Sequence, residues 1–154
     1  TVRLANRDDA AAIRDIYAPF VTDSVASFET DLPTTDDMAT RIAETVERFP
    51  WLVCVRDGDV AGYGVIRTCR QGFKIGPLFA DDREAAEALF SGLCADIPAG
   101  ATVALDVPEP HGAAMALARS AGLAPAFETA RMYRGRAPKL PIERTFGVTT
   151  FELG

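Results

Sequence analysis

The 154-residue sequence has few of the residues that build metal, disulfide or nucleophilic sites. Its three cysteines are odd in number and widely spaced, with no CxxC pair. They predict reduced thiols, and neither a zinc site nor a disulfide framework. The single histidine, His111, has no serine or cysteine beside it, so a hydrolase triad has no support. The scattered acidic residues show no metal-ligand spacing, and we predict no metal site.

Long apolar runs and an excess of positive charge are also missing. No apolar run approaches the roughly 18 residues of a membrane span, and no signal-peptide pattern opens the chain. We therefore expect a cytoplasmic protein with no membrane partner. A net charge of −6 and a pI near 4.8 argue against nucleic acid as a partner. With 48% hydrophobic and 25% charged residues, the chain is typical of one soluble globular domain over 1–154.

Hydrophobic periodicity predicts the element order β-α-α-β-β-β-α-β-α-β-β. This is an α/β (α+β) chain with a mixed sheet of about seven strands and helices on both faces. Pro19 is expected to bend or stop the first helix, and Asp57-Gly58 to close a hairpin. The last two strands are predicted at about 126–133 and 145–153.

The stretch 72–90 reads as a buried strand that turns directly into a helix. Inside the strand, Gly76-Pro77 removes one ladder donor and predicts a bulge or a splayed edge. The strand would then diverge from its parallel neighbour at 102–107. A ligand could use the backbone groups in the gap between them.

This order of elements resembles the GNAT acyl-CoA N-acetyltransferase fold. Blocks between Asp15 and Tyr63 resemble phosphinothricin and methionine-sulfoximine type acetyltransferases, among them Ser27-Phe28-Glu29-Thr30 and Arg48-Phe49-Pro50-Trp51. Blocks from Cys69 onward look like the C-terminal half of tandem GNAT-like proteins, among them Asp106-Val107-Pro108-Glu109-Pro110. The chain therefore reads as a composite GNAT-like domain with a junction near 62–70.

The resemblance implies transfer of an acetyl group from acetyl-CoA to a small amine or amino-acid-like substrate. Acetyl-CoA would lie between the strands at 73–80 and 102–107. The backbone at Leu78, Phe79 and Ala80 would contact the donor. His111 stands where the family's asparagine contacts the pantetheine arm, and capping of the fourth helix is the alternative.

The same resemblance implies the remaining site residues. Glu29 would orient or deprotonate the amine, and Phe28 lies in the loop that closes over the substrate. Arg67 and Arg70 could hold a substrate carboxylate. Tyr133 could protonate the leaving thiolate. Each role has a structural alternative. Glu29 could be a solvated loop carboxylate, Arg67 and Arg70 could be surface arginines, and Tyr133 could be a core or edge tyrosine.

One stretch departs from the family pattern. GNAT enzymes carry a basic, glycine-rich loop whose amides grip the CoA pyrophosphate, whereas 81–86 reads Asp-Asp-Arg-Glu-Ala-Ala. The acids compete with the phosphates for the helix N-terminus, and backbone contacts to the pyrophosphate are lost as well. Together these effects are expected to weaken the binding free energy of acetyl-CoA by about 3–4 kcal/mol. Acetyl-CoA binding is therefore expected to be weak. The alternative is that these acids simply start a helix, which is compatible with weak acetyl-CoA binding or none. A non-catalytic GNAT-like binding module is the alternative function, and homodimerisation through 134–154 is a third.

Overall fold

The computed structural model describes residues 1–22, 29 and 31–149. Short 3-10 turns at Arg7–Asp9 and Ile142–Arg144 precede the first helix and the last strand. The helices and longer strands run in the predicted order: β1 Val2–Leu4, α1 Ala10–Thr22, α2 Thr35–Val46, β2 Trp51–Arg56, β3 Asp59–Cys69, β4 Gly72–Ala80, α3 Arg83–Cys94, β5 Val103–Leu105, α4 Gly112–Ser120 and β6 Thr145–Gly147.

The sheet is mixed, as predicted, and has six strands in the described residues where about seven were expected. Strands β1 to β4 are antiparallel neighbours in chain order. β5 returns parallel to β4 through α3, which confirms that the two strands are parallel neighbours. β6 is antiparallel to β4.

Helices cover both faces of the sheet and create two cores. On one face, α1 and α2 pack Ile13, Met38 and Ile42 against Val53 and Tyr63. On the other face, α3 and α4 bury a second set against the sheet, including Leu89, Leu93, Leu117, Ile75, Leu78 and Phe146. The predicted arrangement of helices is confirmed.

Local signals place most boundaries correctly. The β2–β3 hairpin closes at Asp57 (φ 52°) and Gly58 (φ 95°), the conformation that favours an Asp-Gly pair. Thr34 caps α2 by accepting from the Asp37 amide, and the Asp37 carboxylate accepts from the Thr34 amide in return. The amide of Gly122 (φ 74°) donates to the Arg119 carbonyl and closes α4.

Of the two effects predicted for Pro19, a bend or a stop of the first helix, the structure contradicts the stop. Pro19 lies inside α1, which continues to Thr22. The two residues that follow it, Phe20 and Val21, are buried. Their burial stabilises the last turn against the hydrogen bond that proline removes.

The predicted strand at 126–133 is also wrong. Residues 124–137 are all exposed, and none of the described residues there is in a strand. β-propensity needs a neighbouring strand and a buried face to take effect, and this segment has neither. The final strand, predicted at 145–153, is observed at Thr145–Gly147, and residues 150–154 lie outside the described residues. Across the described ranges, no helix is long and apolar enough to cross a membrane.

Candidate functional site

β4 and β5 are paired at their start and diverge after Ile75, and we call the gap between the diverging strands the fork. They pair at only three positions, ending with Ile75 opposite Leu105, and then separate. On the other edge of β4, the register against β3 shifts between Gly64 and Ile66. The shift lies beside the Gly76–Pro77 peptide, which is cis. The predicted bulge and divergence are therefore confirmed.

The chain's own last strand fills this fork. β6 pairs with β4 at Leu78↔Gly147 and Phe79↔Thr145. One residue further, the Val148 amide donates to the Asp106 carbonyl at 2.9 Å, so the segment also contacts the chain just after β5. We call Arg144–Thr149 the fork segment.

The fork segment approaches β4 closely at Gly76. A Cβ atom on Gly76 would lie 2.5 Å from the carbonyl oxygen of Val148 and 2.8 Å from that of Thr149. Only glycine fits this contact without displacing backbone. The edge of β4 that faces the fork is therefore covered by β5 up to Ile75 and by the fork segment beyond it.

Two predicted ligand-binding side chains hold the fork segment. His111 Nδ1 lies 2.9 Å from the Thr145 carbonyl oxygen, and its ring packs edge-on against Phe146 with 4.5 Å between centroids. Because a carbonyl only accepts, His111 carries its proton on Nδ1. His111 is the N-cap residue of α4, as the alternative prediction has it, but its side chain makes no cap hydrogen bond and contacts the fork segment instead. Arg67 donates through Nη2 to the Thr149 carbonyl at 2.9 Å.

An ion pair lies at the neck of the fork. Lys74 Nζ is 2.5 Å from Asp106 Oδ2, and the two side chains are only 17% and 9% exposed. Sequence reasoning missed this pair. The available signal was a lysine and an aspartate within or directly after the two strands that flank the predicted gap.

The start of α3 is occupied by the chain's own carboxylate. Asp82 Oδ1 accepts from the Ala85 amide at 2.9 Å, and Asp82 Oδ2 lies 2.6 Å from Arg56 Nη1. The Arg56 bond, followed by the Ala85 amide, lowers the pKa of Asp82 to about 2. Asp81 forms an ion pair with Arg144 of the fork segment. The interpretation of these acids as a helix start is confirmed.

These contacts bear on whether acetyl-CoA can bind between β4 and β5. The fork holds protein backbone, and the α3 amide that could meet a phosphate is bonded to Asp82. The residues therefore do not accommodate acetyl-CoA while the fork segment is in place. Leu78, Phe79 and Ala80, predicted to contact the donor, are buried.

Glu29 lies apart from the fork, beside α1 and α2. Its carboxylate forms an ion pair with Arg41 of α2 and a hydrogen bond with Tyr17 of α1. The Arg41 bond is the main reason that the pKa of Glu29 is lowered, and Tyr17 adds to the effect. Glu29 is therefore a fixed negative charge at neutral pH. Phe28, its predicted partner, lies outside the described residues.

Two other candidates are not brought to the fork. Tyr133 is 36% exposed and lies in the segment that does not form a strand. Arg70 is exposed in the turn between β3 and β4. Their roles, like dimerisation through 134–154, stay predictions.

A cavity of about 210 Å³ lies beside α3, with Arg67 in its wall. It is smaller than the roughly 300–1,000 Å³ of most ligand pockets. We therefore assign it no ligand. Its lining residues are Arg48, Phe49, Pro50, Ile66, Arg67, Thr68, Phe73, Leu93, Asp96 and Ile97.

A family model and two relatives matched by sequence all describe acyltransferases or acetyltransferases. A family model described as an acetyltransferase (GNAT) domain matches residues 16–147. A holothin acyltransferase from Pseudoalteromonas sp. (strain SANK 73390) is 30% identical over 101 residues, 65% of this chain and 34% of that protein. A phosphinothricin N-acetyltransferase from Alcaligenes faecalis is 42% identical over 64 residues, 41% of this chain and 32% of that protein. The matched part thus spans about one third of each of these relatives.

Solved structures share the fold. A phosphinothricin acetyltransferase from Sinorhizobium meliloti, solved in complex with AcCoA, superposes with a TM-score of 0.58 at 25% identity. The match covers 79% of this chain and 73% of that one. The predicted likeness to phosphinothricin acetyltransferases is confirmed, and the likeness of the second half to tandem proteins stays a prediction.

Proposed function

Because the chain belongs to the GNAT acetyltransferase family, we propose that it is an N-acetyltransferase domain. Its donor is acetyl-CoA, and its acceptor is a small amine or amino-acid-like compound. The names of two relatives support this substrate class, since they act on phosphinothricin and on holothin. A solved relative that binds AcCoA supports the donor.

One observation carries the proposal. Beyond Ile75, the edge of β4 parts from β5 and binds an extended segment of backbone. The pantetheine arm of CoA is likewise an extended chain with amide groups, and strand edges bind such chains through main-chain hydrogen bonds. The fork is therefore suited to the shape and bonding of that arm once its present occupant leaves.

Glu29 supports an amine acceptor. Its lowered pKa keeps the carboxylate charged at neutral pH, and Arg41 and Tyr17 fix its position. A carboxylate with a lowered pKa is a poor proton acceptor and a good partner for an ammonium group. We therefore assign Glu29 to orienting the amine rather than to deprotonating it.

The second candidate is a non-catalytic GNAT-like binding module. The specific observation that favours it is the Asp82 cap on α3, together with the Arg144–Asp81 ion pair beside it. These contacts occupy the helix end where the family is expected to hold a pyrophosphate. Such a module would bind a ligand without transferring an acetyl group.

A thermal-shift series with acetyl-CoA, CoA and desulfo-CoA, paired with a transfer assay, separates the two functions. Binding to the native state raises the melting temperature by mass action. We expect all three ligands to raise it at millimolar concentration. Acetylated product, detected by mass spectrometry, should form from phosphinothricin or methionine sulfoximine.

The matched control acceptor is the same compound with its amine already acetylated, which should give no product. A temperature shift without product from any of a panel of small amines would favour the binding module. No shift with any of the three ligands would contradict the donor assignment.

A further inference from the structure

We propose that the fork segment, Arg144–Thr149, is an internal competitor of the acyl donor. It occupies the donor's place in the fork, and the donor binds only when the segment leaves. This inference rests on the proposed function, since it concerns the regulation of the same site.

The first support is that the segment uses the contacts expected of the donor. Leu78 and Phe79, predicted to contact acetyl-CoA, pair with Gly147 and Thr145. His111, predicted to bind the pantetheine arm, bonds to the Thr145 carbonyl instead. The segment and the donor therefore cannot occupy the fork together.

The second support comes from the two ends of the segment. Arg67 donates to the Thr149 carbonyl, and Arg144 forms an ion pair with Asp81 beside the start of α3. Arg67 was predicted to hold a substrate carboxylate, and Asp81 lies in the predicted phosphate region. When the segment leaves, Arg67 and His111 both regain free N–H donors.

The third support is that few strand pairs hold the segment in place and that most of the connection before it is exposed, although release must also expose Phe146 of the second core. Residues 121–143 connect it to α4, and the part at 124–137 is exposed with no strand or helix. β6 has only three residues and two register pairs with β4. β4 meanwhile keeps its pairing with β3 between Gly72 and Ala80, interrupted only at Gly76-Pro77. Phe146, 1% exposed, is the main apolar anchor of the segment.

A valine at Gly147 should destabilise the segment in the fork without changing charge, and hydrogen exchange at 144–149 measures how far it is released. A Cβ atom there would lie 2.5 Å from Leu105 Cδ1 and 3.4 Å from Leu78 Cβ, and valine adds two further methyl groups. The matched control is Gly112→Val, because a Cβ atom at Gly112 meets nothing within 4 Å. Both variants make the same chemical change to one glycine.

The first measurement is hydrogen exchange on the wild-type chain, which requires no variant. Millimolar acetyl-CoA should remove the protection of amides in 144–149, including the Val148 amide that donates to Asp106. Amides at the β3–β4 pairs should stay protected and serve as the internal control. Donor binding with unchanged protection of 144–149 would overturn the proposal.

The second measurement is the affinity for acetyl-CoA by titration calorimetry. An occupant that fills the fork nine-tenths of the time raises the apparent Kd about tenfold. Gly147→Val should therefore bind at least about tenfold more tightly than wild type, with Gly112→Val unchanged. Equal affinity, with 144–149 shown by exchange to be released, would overturn the competitor and leave the proposed function standing. No binding to the released variant would overturn both.

Discussion

Replacing Asp82 tests whether the start of α3 is stabilised by a cap, by a charge or by both. Asp82 is the N-cap residue of α3, and its Oδ1 accepts from the Ala85 amide at 2.9 Å. Asp82→Ala removes this bond and should lower the free energy of unfolding by about 1 kcal/mol. For a chain of this length that is a fall of about 2–4 °C in melting temperature.

Asp82→Asn separates the two contributions. Asparagine caps a helix about as well as aspartate, so this variant keeps the bond to Ala85 and loses only the charge. The lost ion pair with Arg56 should matter little, because both side chains are 43% exposed and solvent screens them. We therefore expect Asp82→Asn to lie between wild type and Asp82→Ala, and closer to wild type.

The pH dependence has a defined sign. The fold lowers the pKa of Asp82 from its ordinary 3.8 to about 2, so the folded state favours the ionised form. The stabilisation by this charge is present above about pH 4 and is lost as the pH falls toward 2. The stability difference between wild type and Asp82→Asn should therefore shrink across that window.

Urea unfolding followed by circular dichroism at pH 7 and pH 3 measures both effects. Glu84→Gln is the control, since Glu84 is an exposed acid in the same first turn that does not cap the helix. If Asp82→Asn and Asp82→Ala lower the free energy of unfolding equally, the cap hydrogen bond to Ala85 does not stabilise the helix. If the difference in unfolding free energy between wild type and Asp82→Asn grows as the pH falls, the ionised carboxylate is not the source of that stabilisation.

Two further variants probe the site. Lys74→Met removes the ion-pair partner that lies 2.5 Å from the nearly buried Asp106 carboxylate and should lower the free energy of unfolding by about 1–3 kcal/mol. Lys74→Met/Asp106→Leu should recover most of this loss in the same urea assay, and a double variant as unstable as the single one would contradict the prediction. Glu29→Gln removes the fixed charge beside α1 and should reduce kcat/KM for the amine at least tenfold, about 1.4 kcal/mol, with an unchanged acetyl-CoA affinity. An equal loss of donor affinity would contradict its assignment to the acceptor.

Much of the fold was readable from local signals. Asp57-Gly58, Thr34 and Gly122 each satisfy a backbone requirement that only a few residue types meet, and the hairpin at Asp57-Gly58 closes as expected. The expected stop at Pro19 is not observed, because the local rule takes no account of the burial of the two residues that follow it. Local chemistry predicts boundaries well where no long-range packing opposes it.

The contacts of the site were less predictable than its location. The fork was expected from Gly76-Pro77, and the divergence of β4 and β5 confirms it. The ion pairs Arg56–Asp82 and Arg144–Asp81 join residues far apart in sequence, so no local pattern indicates them. His111 and Arg67 were singled out as ligand-binding residues, and the structure bonds both to the fork segment.

The pairing of the last strand shows why the filled fork escaped prediction. A strand beginning at Thr145 was expected, and its apolar pattern fits an edge of β4 as well as an edge of β5. Where β5 turns away, β4 would expose unpaired N–H and C=O groups, and proteins cover such edges. β6 supplies that cover through the same hydrogen-bonding groups that an extended ligand needs. The edge of β4 can either stay open for the donor or pair with another strand when no ligand is bound, but it cannot do both. In this structure it pairs with β6.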